Sequence, residues 1–119
     1  MIVINNYLYK HEIEENLKVG LLDILILKLI SEEDSMYGYK IKLTMAERSG
    51  GAITLPEGSL YGPLYRMEKR GYISPRKVFV GQTRYRIYYS ITEKGKGFLA
   101  EALECFDNIY NAARSVIGK

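Results

Sequence analysis

Apolar and polar positions divide the chain into segments of different period. From Gly20 to Ser31 the residues Leu21, Leu22, Ile24, Leu25, Leu27, Leu29 and Ile30 leave almost no polar face. A run apolar nearly all round, of this length, predicts a buried helix. The polar stretch Ser31 to Ser35 ends it. From Met36 to Ser49 helical spacing returns, with Tyr37, Ile41 and Met45 on one face, and Ser49-Gly50-Gly51 is a helix stop. Leu60, Leu64 and Met67 recur at i, i+4, i+7 and predict a short helix that Gly71 ends. Residues 72–80 and 84–92 switch to a period of two around Gly81-Gln82-Thr83, which predicts a hairpin. Its second strand places Tyr85, Ile87, Tyr89 and Ile91 on one face, read as core. Thr92 and Glu93 open a last helix to about Ile117. Its residues Leu99, Ala102, Phe106, Ile109, Ala113 and Val116 step by 3, 4, 3, 4, 3. Such a seam, widened by Leu103 and Tyr110, needs a partner surface. Residues 6–17 hold a weaker helical pattern with Leu8, Ile13 and Leu17 on one side.

The short helix has an unusual feature: Gly62 and Pro63 lie within it. In a helix interior these residues cost roughly 1 and 3 kcal/mol relative to alanine. A capping box of Thr54 and Glu57 would start the helix near Leu55 and leave Pro63 in the interior. A start at Gly58 or Ser59 places Pro63 at the edge of the first turn, where amides have no intrahelical partner. The later start is therefore expected.

Composition narrows the class of molecule. The chain has 119 residues and is 47% hydrophobic and 26% charged, values of a single globular domain. The net charge is +3, compatible with nucleic acid without requiring it. One cysteine, Cys105, permits no internal disulfide, and a cytoplasmic location is expected. The N-terminal residues lack a signal-peptide pattern, and the most apolar run is too short to span a membrane. His11 and Cys105 offer no metal-ligand spacing, and no cofactor is expected. No nucleophile–base set or phosphate-binding glycine loop is present, and Gly58-Ser59-Leu60-Tyr61-Gly62 is not a nucleophile elbow. An enzyme is not expected.

The order helix, helix, short helix, hairpin, long helix is that of a winged helix-turn-helix. The expected fold class is α+β, mostly α, with a two-stranded wing and a long C-terminal dimerisation helix. Residues 1–91 are expected to form the DNA-binding part and residues 92–119 the dimerisation helix. Basic and aromatic residues occupy the short helix, and Lys77, Arg84 and Arg86 flank the hairpin tip, where they suit phosphate neutralisation.

Three segments together carry a family resemblance: Tyr37-Gly38-Tyr39 opening the second helix, "PEGSLYGPLYRMEKRGYI" from Pro56, and "YYSITEKG" from Tyr88. In this order and spacing they resemble the PadR-type transcriptional regulators, over about residues 20–95. The resemblance implies a dimeric winged-helix repressor on a palindromic double-stranded DNA operator. It implies DNA contacts by Tyr37, Tyr39, Ser59, Tyr61, Arg66, Gln82, Thr83 and Arg84, beside the wing cations Lys77 and Arg86. It implies dimerisation through the last helix, with Leu99, Ala102, Leu103, Phe106, Ile109, Tyr110, Ala113 and Val116 at the interface. The chain departs from the usual pattern at Tyr37 (often histidine), at Gly62-Pro63 (proline one residue late) and at Ser90 (usually arginine). It has no tryptophan, so the drug-stacking mode of some small members does not carry over. Phe98, Phe106, Tyr110, Tyr7 and Tyr9 leave two readings of the interface open: a small apolar or aromatic effector site, or a plain packed core. The competing functional reading is a winged-helix protein–protein adaptor without a DNA role.

Overall fold

A computed structural model describes residues 6–56 and 58–118. The elements run α1 (Asn6–Lys18), α2 (Leu22–Ser31), β1 (Met36–Tyr37), α3 (Gly38–Arg48), α4 (Tyr61–Lys69), β2 (Ile73–Phe79), β3 (Tyr85–Ile91) and α5 (Glu93–Ile117). The winged helix-turn-helix and the long last helix are as expected. One correction concerns the sheet, which has three antiparallel strands in the order β1-β3-β2. Met36 and Tyr37 leave the helix and pair with Tyr89 and Tyr88. Tyr37 then caps α3 with extended backbone.

The core is where the apolar faces of α2, α3 and α4 meet the base of the sheet. Ile26, Leu27, Ile30, Met36, Ile41 and Met67 are essentially inaccessible, and Leu64, Ile73 and Leu99 join them. Fully burying one such side chain contributes about 1.5–3 kcal/mol. An ion pair from Arg48 to Glu32 ties α3 to the end of α2 and holds the Glu32 carboxyl below its usual range.

The start of α4 is later than the sequence pattern predicts. Gly58, Ser59 and Leu60 form a turn, with Gly58 at φ +85° and the Ser59 amide donating to the Pro56 carbonyl at 3.1 Å. The first turn of α4 then runs from Tyr61, so Pro63 removes no helical hydrogen bond. The Leu64 amide reaches back to Leu60 at 3.2 Å. Glu57, half of the rejected capping box, lies outside the described residues.

Gly95 decides how α5 leaves the sheet. A Cβ there would lie 2.1 Å from the Tyr72 carbonyl oxygen and 2.8 Å from Ile91 Cγ1. Only a glycine admits this approach of the α5 first turn to the strand-entry backbone. Phe98 stacks on Tyr72 with ring centroids 4.3 Å apart, and Leu99 completes the core. From Glu104 to Ile117 every residue of α5 is exposed, and this half extends away from the body in a molecule 61 Å long.

Candidate nucleic-acid interface

Three elements converge on one side. The N-terminus of α3 carries Gly38 and Tyr39, the first turn of α4 carries Tyr61, and β3 brings Tyr85, Arg86 and Ile87. With Tyr37, Leu64 and Tyr89 these residues line a cleft of about 390 Å³. Burial, reinforced by Glu68 and Tyr61, pushes the Tyr89 phenol above its usual range. A second, smaller hollow between Tyr39, Lys42, Gly58 and Tyr61 adjoins it. The amides of the α3 first turn open here with no side-chain cap, an arrangement that favours an anion.

On α4 the apolar residues Pro63, Leu64 and Met67 face inward, beside Leu60 of the preceding turn. Tyr61, Tyr65 and Lys69, spaced by four, form the opposite face. Tyr61 is 69% and Tyr65 60% exposed, and the Lys69 ammonium lies 5.4 Å from the Tyr65 ring. Arg66 stands on the flank beside α2. Its Nη2 donates to Asp23 Oδ1 at 2.9 Å and its Nε to Oδ2 at 3.4 Å. Ser59 spends its hydroxyl proton on the Pro56 carbonyl at 2.7 Å.

The wing has two different faces. On one, Lys77 sits 4.2 Å above the Tyr85 ring, and Phe79 meets Tyr85 edge-on at 5.9 Å. Tyr85 is 49% exposed, which corrects the expectation that it is core. Only the lower half of that strand face, Tyr89 and Ile91, packs against the core. On the other face Arg86 lies 4.5 Å over Tyr37, and Tyr37 lies 5.2 Å from Tyr88, beside which Arg76 stands at 5.9 Å. Gln82, Thr83 and Arg84 form the exposed tip. The structure thus brings Tyr37, Tyr39, Tyr61 and Arg86 together at one cleft. It sets Arg66 and Ser59 against protein partners instead. From the sequence Tyr65 stays evenly balanced between a DNA contact and a plain surface role, Lys69 reads as a solvated end of the helix, and the partner of Arg66 is not visible. The signal was Asp23, the one acidic residue in the mostly apolar run from Val19 to Ile30.

A profile of the Transcriptional regulator PadR-like family matches residues 26–101. The chain belongs to this PadR-like family. Its members are transcriptional regulators, not enzymes, and the fold is their winged-helix DNA-binding fold. The PadR-like chain is 36% identical over 85 residues to an uncharacterized protein of Lysinibacillus sphaericus, covering 71% of this chain and 77% of that protein. Among solved structures it resembles a PadR-like transcriptional regulator from Bacillus cereus, with 27% identity and TM-score 0.71 over 87% of this chain and 98% of the other. A PadR family regulator from Eggerthella lenta shares the fold at TM-score 0.79, with 22% identity and 92% of each chain covered. No described helix is long and apolar enough to cross a membrane.

Between α5 and the α1–α2 junction lies a separate groove of about 530 Å³. Leu17, Val19, Leu21 and Ile24 form one wall; Ala102, Phe106, Ile109, Tyr110 and Ala113 form the other, with Cys105. Phe98 is not part of it, since its ring is taken by Tyr72. The side chain of Tyr7 lies outside the described residues.

Proposed function

We propose that this PadR-like regulator is a homodimeric, sequence-specific repressor of a palindromic operator, released by a small apolar or aromatic ligand. The observation that carries the reading is the convergence of the α3 N-terminus, the first turn of α4 and strand β3 of the wing on one cleft. A phosphodiester strand fits between α4 and the wing. There the α3 amides, Tyr39 and Tyr61 donate to phosphate, while Lys77, Arg84 and Arg86 neutralise charge along the neighbouring backbone. Tyr65 and Lys69 then point at base edges. The open groove supports a second copy of the chain. The projecting half of α5 and the α1–α2 wall present apolar side chains to solvent that a two-fold partner would cover. Its volume is also within the range of small-ligand sites, roughly 300–1,000 Å³, and its aromatic lining suits a flat apolar effector.

Fluorescence anisotropy with DNA from the chain's own upstream region tests this. Specific binding should weaken steeply with salt, log K falling by about 0.9 per phosphate neutralised for each unit of log salt. Phenolic and other aromatic compounds should release the DNA. Binding with no preference over unrelated DNA, or a monomer in the DNA complex, would overturn the proposal.

A further inference from the structure

Arg66 carries an apparent contradiction. It is a cation on the DNA-contacting helix, yet its guanidinium is engaged by a carboxylate from another helix. Both hydrogen bonds to Asp23 use the fork of one guanidinium, Nη2 to Oδ1 and Nε to Oδ2. Such a two-point contact fixes direction as well as distance. The pair also suits both helix ends. Asp23 is in the first turn of α2 and Arg66 in the last turn of α4, where the helix dipoles favour an anion and a cation respectively. Among the ion pairs described, this one joins residues 43 positions apart and spans from α2 to α4.

α4 needs such a tie. It is nine residues long, and its inward contacts come from one apolar stripe of Pro63, Leu64 and Met67. Apolar packing resists separation, but it is non-directional and restrains rotation about the helix axis less well than a forked hydrogen bond. Rotation would move Tyr61, Tyr65 and Lys69 along the groove of a bound duplex.

We propose that Asp23 is a positioning residue for DNA recognition: through its forked pair with Arg66 it sets the rotation of α4, and Arg66 takes no phosphate. The inference rests on the reading of α4 as the DNA-contacting helix. Asp23 touches no DNA, and the pair is exposed enough to add little to global stability. Its contribution is to the orientation of the Tyr61–Tyr65–Lys69 face, and so to discrimination between operator and unrelated DNA.

Three variants of the full chain test it: Asp23→Asn, Arg66→Gln and the exchange Asp23→Arg with Arg66→Asp. Binding to operator and to unrelated DNA is measured across salt. Each single variant should lose about fivefold in operator affinity per recognition helix, with little change on unrelated DNA and an unchanged salt slope. The exchanged pair should recover part of the loss, incompletely because it reverses both dipole interactions. A phosphate contact predicts the opposite: Arg66→Gln lowers the slope by about 0.9, Asp23→Asn tightens binding by freeing the cation, and the exchange abolishes binding. Any of these three results overturns the proposal. Hydrogen exchange at the α4 amides of the free protein provides an arm that needs no DNA. Both single variants should speed exchange at Met67 to Arg70 about fivefold, and the exchanged pair should slow it again. Unchanged exchange in Asp23→Asn overturns the positioning role. Loss of operator preference in the wild type, with the exchange effects intact, overturns only the reading of α4.

Discussion

Thr92 joins three segments through one hydroxyl. Its Oγ1 accepts the Gly95 amide at 3.0 Å and donates to the Gly71 carbonyl at 2.6 Å, while its own amide donates to the Tyr72 carbonyl at 3.0 Å. The same residue therefore caps α5, stops the chain after α4 and closes the hairpin base. Replacing Thr92 by alanine removes the cap and leaves the half-buried Gly71 carbonyl without its donor. A cap loss alone costs about 1 kcal/mol, and the orphaned carbonyl adds a comparable amount. Urea unfolding of Thr92→Ala should show a loss of about 2 kcal/mol. Thr92→Ser, which keeps the hydroxyl, should recover most of it. This role was legible from the chain, where Thr92 and Glu93 stand just before the helical period begins. The partner at Gly71 was not, because it is 21 residues away in sequence. Asp23 and Arg66 illustrate the same limit: both are visible as charges, but only folding makes them a pair.

At the scale of the elements, Gly95 is the most closely hemmed of the glycines. Its hydrogen faces the Tyr72 carbonyl, and a methyl group would overlap backbone at the hairpin base, where the Thr92 amide already holds that carbonyl. Overpacking of a rigid site costs typically 1–3 kcal/mol, and here the obstacle is backbone rather than a movable side chain. Gly95→Ala should therefore destabilise by about 3 kcal/mol, despite the better helix propensity of alanine. Differential scanning calorimetry would reveal it. Gly97, two residues on, meets nothing within 4 Å, and Gly97→Ala should be neutral or mildly stabilising in the same scan. Element boundaries were less legible than element types. Met36 and Tyr37 read as helix because their apolar spacing continues into α3, yet β3 recruits them as a strand. A strand of two residues has no period of its own, so pairing alone decides it. The first turn of α4 slipped for a similar reason: Gly58 can take φ +85° without cost, which prolongs the turn to Leu60.

At the scale of the whole molecule, the shape follows from unequal burial along α5. Its first third closes the core through Gly95 and Leu99, while its last half leaves Ile109 71% and Val116 88% exposed. α1 likewise turns Ile13 and Leu17 outward. Ile109→Glu puts a charge on the groove wall at a site that contributes little to the chain's own core. Sedimentation equilibrium should show the wild type as the proposed dimer and the variant as a monomer. The far-UV spectrum should be retained, since exposed substitutions usually stay within about 0.5 kcal/mol. A variant that remains fully dimeric would place the interface elsewhere.

The sequence by itself determined the kind and order of the long elements, because their periods are local and each is dictated by which face must leave water. It determined the wing, the cap of α5, and the family, through three motifs at set spacings. The tertiary structure decided what depends on distance in space. It set the third strand of the sheet, which needs β3 beside Met36. It exposed Tyr85, because the hairpin outruns the core that its base covers. It engaged Arg66 with Asp23 and left Tyr65 and Lys69 as the outward line of α4, since a short helix can present only what its inward stripe and its lateral tie allow.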